Sequence, residues 1–226
     1  MLAVAGRYHE AITQYDAVDR FGGDSDPVRR SRAAAYRRLG EHAKAAGEYS
    51  VVIERASETA AVVWDHYQRA TPLWILGRRE EAIDDYRRVR SLLGRPTFAD
   101  ARRFLILREL GRAEEARRVL DAALRDVQDD WLRQVLRCLA GEFAPEVLVA
   151  DAKMRDHPEQ ICEALYYAGE LRLLRDDDEA ARAFFVRCVQ TGLTFDPDTK
   201  QLTPMNEFEL ARWRLDSILP AHHEEN

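Results

Sequence analysis

A chain of 226 residues with 46% hydrophobic and 33% charged residues, 11 glycines and 8 prolines has the composition of a folded, helix-rich protein. Collagen-like and disordered classes are excluded by that composition. The net charge of −6 gives no electrostatic footprint for nucleic acid, and no apolar run approaches the ~20 residues that cross a bilayer.

Along the chain, an apolar pattern breaks six times, at Gly6, Gly40, Gly77, Gly111, Gly141 and Arg175. The intervals are 34, 37, 34, 30 and 34 residues. A period near 34 predicts an all-α chain of helix–turn–helix units, none able to bury its apolar face without a neighbour. Only five residues precede Gly6, so the first unit reads as a second helix with almost no first. That incompleteness suggests missing upstream sequence and leaves the Ile12 and Tyr15 face open to self-association. In the regular units, Leu39, Leu76, Leu110 and Leu174 stand one residue before the break, and Tyr36, Leu73, Leu107 and Leu171 four before it. Five after it come Ala11, Ala45, Ala82, Ala116 and Ala180, and nine after it Tyr15, Tyr49, Tyr86, Leu120 and Phe184. This spacing places them on one helix face, with alanine allowing close helix approach and the larger side chain filling the gap beyond.

The third unit predicts a longer first helix, about 58–76, with Pro72 kinking it. The Gly141 unit is degenerate: Glu146 replaces the alanine and Pro145 opens the second helix. The expected organisation is repeats over 1–190, a connecting loop over 191–205, a C-terminal capping helix over 206–220 with Asn206 as N-cap, and a tail over 221–226.

Gly-Arg-Arg-Glu-Glu-Ala-Ile-Asp-Asp-Tyr (77–86) and Gly-Arg-Ala-Glu-Glu-Ala-Arg-Arg-Val-Leu (111–120) resemble the inter-helix turn and second helix of the tetratricopeptide repeat (TPR) family. The resemblance covers most of residues 1–190, although the proline usual at the repeat end is missing. It implies a right-handed α-solenoid of antiparallel helix pairs whose first helices line a concave binding face. The segments 162–171, 176–185 and 191–193 further resemble the last repeat of bacterial TPR lipoproteins that serve as outer-membrane adaptors.

Chemistry is absent from the pattern. There is no phosphate-binding glycine loop, nucleophile elbow or HExxH, and the Asp176–Asp178 run is explained by the helix N-terminus it precedes. His9 and His42 occupy polar turn positions. The expectation is a non-enzyme without cofactor or metal. Cys138, Cys162 and Cys188 form no CxxC and read as small buried residues, while Cys162 and Cys188 flank one hairpin in a way that permits a bridge without requiring it.

In the register of the family, the position three before each break faces the groove: Arg37, Trp74, Arg108 and Arg172. Arg38 follows Arg37, and Tyr67 lies two turns before Trp74. An arginine ladder around an exposed tryptophan would bind an acidic or C-terminal peptide; the same residues also fit a solvated helix surface. The carboxylate clamp for chaperone tails is disfavoured, because it needs asparagine and lysine on successive first helices and the asparagines are Asn206 and Asn226. Two functional readings result: a non-catalytic scaffold or adaptor for a protein or peptide, and a regulatory or targeting fragment of a larger signalling, enzymatic or membrane-anchored protein. The location is cytoplasmic if Met1 is the true start, and periplasmic or membrane-anchored otherwise.

Overall fold

The computed structural model describes residues 2–56, 62–192 and 206–218. Among these stand twelve α-helices and no strand. The helices are α1 (Leu2–Arg20), α2 (Asp26–Arg38), α3 (His42–Arg55), α4 (Val63–Ile75), α5 (Arg79–Leu93), α6 (Phe98–Glu109), α7 (Ala113–Asp126), α8 (Asp130–Leu139), α9 (Pro145–Arg155), α10 (Pro158–Leu173), α11 (Asp178–Gln190) and α12 (Asn206–Ile218). They form two compact units, Met1–Ile106 and Leu107–Asn226. The predicted loop over 191–205 and the tail lie almost wholly outside the described residues, as does the start of the long helix expected from residue 58.

Four of the six expected breaks end a helix. Gly40, Gly77, Gly111 and Gly141 take φ between 72° and 81°, a left-handed conformation in which a Cβ is strained. The next amide then reaches back five residues: Glu41 N–H to the Tyr36 carbonyl and Arg78 N–H to the Leu73 carbonyl, both at 2.9 Å, and Arg112 N–H to the Leu107 carbonyl at 2.8 Å. These bonds satisfy carbonyls that the ending helix would leave without partners.

Gly6 is different. It lies inside α1, which continues through it for 19 residues, so the predicted half-unit is one uninterrupted helix. A helical glycine costs about 1 kcal/mol relative to alanine, too little to end a helix by itself.

The last turn also departs from expectation. Asp176, not Arg175, is left-handed (φ 57°), and Asp177 N–H closes on the Arg172 carbonyl at 3.1 Å. Aspartate tolerates this conformation better than most side chains. The closure spans the same five residues as in the glycine turns, so the whole turn and the second helix after it are displaced by one residue from the expected break. The fully buried alanine is Ala181 rather than Ala180, and Phe185 takes the position of Tyr49 and Tyr86.

In the first unit, α2 to α5 bury Ala33, Ala45, Tyr49, Val52, Leu73, Trp74, Ala82 and Tyr86 against one another. Pro72 sits inside α4 and is itself buried. Helix α1 packs on α2 from one side, and none of its residues from Arg7 to Arg20 is buried. In the second unit, Gly169 of α10 lets the Phe185 ring of α11 approach so closely that a Cβ would meet it at 2.5 Å. In the degenerate unit Glu146 is exposed, and Leu148, Val149 and Ala152 turn inward from α9 instead.

Helix α12 packs on α10 and α11. Its centre is a buried ion pair: Arg214 donates from Nε and Nη2 to the Glu170 carboxylate at 2.7 and 2.9 Å, and from Nη2 also to Glu109. No helix among the described residues is long and apolar enough to cross a membrane.

Candidate interaction surface

Helices α2 and α4 are first helices of neighbouring pairs in the first unit, and polar side chains tie them together. Arg30 donates through Nε and Nη2 to the two oxygens of Asp65 at 2.8 and 2.7 Å. This two-pronged contact fixes orientation as well as separation, and hydrogen bonding to Asp65 holds the Arg30 guanidinium above its ordinary pKa. Further along, Arg37 Nη1 donates to Gln68 Oε1.

The aromatic part lies on α4. The Tyr67 ring is fixed from three directions. The Arg102 guanidinium of α6 lies 4.7 Å from its centroid, Tyr86 meets it at 5.9 Å, and Trp64 meets it at 5.7 Å with the planes at 86°. Edge-to-face and cation–π contacts are favoured by the ring's charge distribution. Trp64 keeps 56% of its surface in solvent.

Behind this surface, Asp85 of α5 accepts from Arg69 Nε and Nη2 at 2.8 and 2.7 Å and lies 2.6 Å from His66 Nδ1. Arg69 Nη1 also donates to Ser50 Oγ of α3 at 3.0 Å. The His–Asp contact is buried inside a packing joint, with the carboxylate already held by arginine. Its geometry describes a structural tie between α3, α4 and α5. Among the described residues, no group of His, Cys, Asp and Glu is placed to hold a metal.

The six residues expected at the groove separate. Trp74 is fully buried, so the exposed tryptophan of the expected ladder is not Trp74. Its face of α4, shared with Ala70 and Leu73, is covered by the unit's own core. Arg37 is also buried, beside Gln68, while Arg38 and Tyr67 are half-buried. Arg108 and Arg172 belong to the second unit. Arg108 is exposed there. Arg172 pairs with Glu146 of α9 and with Asp177 at 3.3 Å. Burial pushes the Glu146 carboxyl up, but the Arg172 hydrogen bond, a backbone amide and the charges of Arg172 and Arg175 together hold that carboxyl below its ordinary value.

Sequence reasoning missed Trp64. The available signal was its place three residues before Tyr67 and four before Gln68, which puts the three on neighbouring stripes of one helix.

No family model matches the chain, and no curated protein matches it. Among solved structures it is similar to a tetratricopeptide repeat protein from Parabacteroides merdae, at 17% identity and a TM-score of 0.55, over 95% of this chain and 79% of that one. At this identity the likeness concerns the fold alone, a TPR-like helical repeat. Nothing in it bears on the outer-membrane adaptor resemblance.

Proposed function

We propose that this chain is a non-catalytic scaffold that binds a protein or peptide on the first-helix face of its first unit, with Trp64 at the centre of the contact. One observation carries the reading: an exposed tryptophan stands edge-on to a tyrosine that two further neighbours, Tyr86 and Arg102, hold in place. Such an aromatic pair offers apolar area with little conformational entropy left to lose, the property of interface hot spots. A TPR-like fold supports the same role, because repeats present long surfaces built from successive helices.

The partner contributes an apolar or aromatic anchor against Trp64 and Tyr67. Its acidic character is the finer part of the proposal and rests on Arg38 in the last turn of α2. Arg30 and Arg37 are framework, because Asp65 and Gln68 already engage them. Trp74 supports α4 from beneath.

Affinity capture with the wild type, Trp64→Ala and Arg38→Glu tests this, each variant checked for unchanged helical content. A partner recovered by the wild type and lost by at least tenfold in Trp64→Ala supports it. Equal recovery by all three overturns the assignment of this face. A second reading, self-association, is favoured by α1 and the residue after it: Val18 and Phe21 are exposed and Ile12 and Tyr15 half-buried. A molecular mass in solution that stays monomeric at all concentrations removes it.

A further inference from the structure

Cys162 lies in the first part of α10 and Cys188 in the last turn of α11, so the antiparallel pair brings them side by side. Their sulfurs are 3.3 Å apart, and both residues are fully buried. The contact is nearly reciprocal. Cys188 Sγ donates to the Cys162 carbonyl at 3.3 Å, and Cys162 Sγ lies 4.0 Å from the Cys188 carbonyl. The first turn of α12 closes over them, with the Glu207 carbonyl 4.0 Å from Cys188 Sγ and the Glu207 side chain accepting from Tyr167 Oη at 3.3 Å.

We propose that Cys162 and Cys188 are a latent disulfide, formed by peroxide when α12 lifts and clamping α10 to α11. A disulfide of about 2.0 Å asks the sulfurs to close by roughly 1.3 Å. Thiols already in contact across a hairpin need no helix rearrangement to do so. In the first step one thiol attacks hydrogen peroxide, giving a sulfenic acid and water. In the second, the other thiol attacks the sulfenic sulfur, the S–S bond forms, and the hydroxyl leaves as a second water. Two thiols lose two electrons and two protons, and one peroxide becomes two waters.

Access sets the rate. Hydrogen bonding to Cys162 and burial both push the Cys188 thiol up, which keeps it protonated and slow while α12 is docked. Cys138, on α8, is pushed up to about 12 chiefly by burial and serves as an internal reference.

The test exposes the folded chain to hydrogen peroxide, followed by alkylation in denaturant and intact mass measurement. Free thiols are expected to fall from three to one, so the oxidised chain carries one alkyl group where the untreated chain carries three, on a polypeptide about 2 Da lighter by the two hydrogens removed. Peptide mapping is expected to find Cys162 joined to Cys188 and Cys138 alkylated, and dithiothreitol added before alkylation to restore all three free thiols. Loosening α12 with Arg214→Met is expected to speed the loss at least tenfold. Three thiols remaining while the denatured chain is oxidised by the same peroxide, a bridge that includes Cys138, or a rate indifferent to Arg214→Met would each overturn the proposal. These readings use the wild-type cysteines, so a Cys162→Ala variant that fails to fold does not affect them.

Discussion

Replacing Arg214 by methionine removes the cation that holds α12 in place. Arg214 is 6% and Glu170 1% exposed, and the pair shares two hydrogen bonds within 2.9 Å. Removing one member leaves a buried carboxylate without compensation, which costs about 3–5 kcal/mol, whereas replacing both by apolar groups is close to neutral. At 1.4 kcal/mol per tenfold, hydrogen exchange of the α12 amides should accelerate by roughly two to three and a half orders of magnitude, up to the limit of an undocked helix. Adding Glu170→Leu should return most of that protection. The pH dependence has a definite sign. Burial raises the Glu170 carboxyl above its ordinary value even with Arg214 and its hydrogen bonds opposing it. A group raised in the folded state contributes stability that is present below its unfolded pKa and lost as pH rises through its folded pKa. Without Arg214 that rise is larger, so acidification from neutral pH should restore α12 protection in Arg214→Met and leave the double variant unaffected. A change under tenfold in Arg214→Met, or a double variant as loose as the single, would refute the claim that the buried pair fastens this helix.

Two glycine substitutions should act in opposite directions. Gly169→Ala would drive a methyl into the buried Phe185 ring and cost about 1–3 kcal/mol, while Gly47→Ala, exposed in α3 with open space around its Cβ, should add about 0.5–1 kcal/mol; urea denaturation reads both. Trp74→Ala should cost about 3–5 kcal/mol because the ring is fully buried, and Trp64→Ala less than about 1 kcal/mol, so thermal unfolding separates core from surface tryptophan. Asp176→Gly should stabilise by a few tenths up to about 1 kcal/mol by relieving a left-handed aspartate, and Asp176→Val should do the reverse.

The repeat was legible because glycine marks a left-handed turn and alanine marks close helix approach. Where another residue carried the turn, the register was lost: Asp176 looks like one aspartate in a run of three, and only its φ distinguishes it. The glycine signal failed in the other direction at Gly6, since a glycine is also tolerated inside a helix. The surface was harder to read. Periodicity places Trp64, Tyr67 and Trp74 on α4 but does not say which stripe the core covers, and the two tryptophans exchanged roles for that reason. The Arg30–Asp65 tie joins residues 35 apart in sequence and had no local signature.

The last turn, carried by Asp176 in place of a glycine, has a practical consequence. Arg175 and Asp176 are both exposed, and the helices on either side keep their own packing although aspartate stands where the other turns have glycine. Side-chain identity at that exposed tip is thus uncoupled from the core, which makes the peptide between them a place to insert an epitope or a fluorophore-binding tag. A reporter placed there would follow the last helix pair.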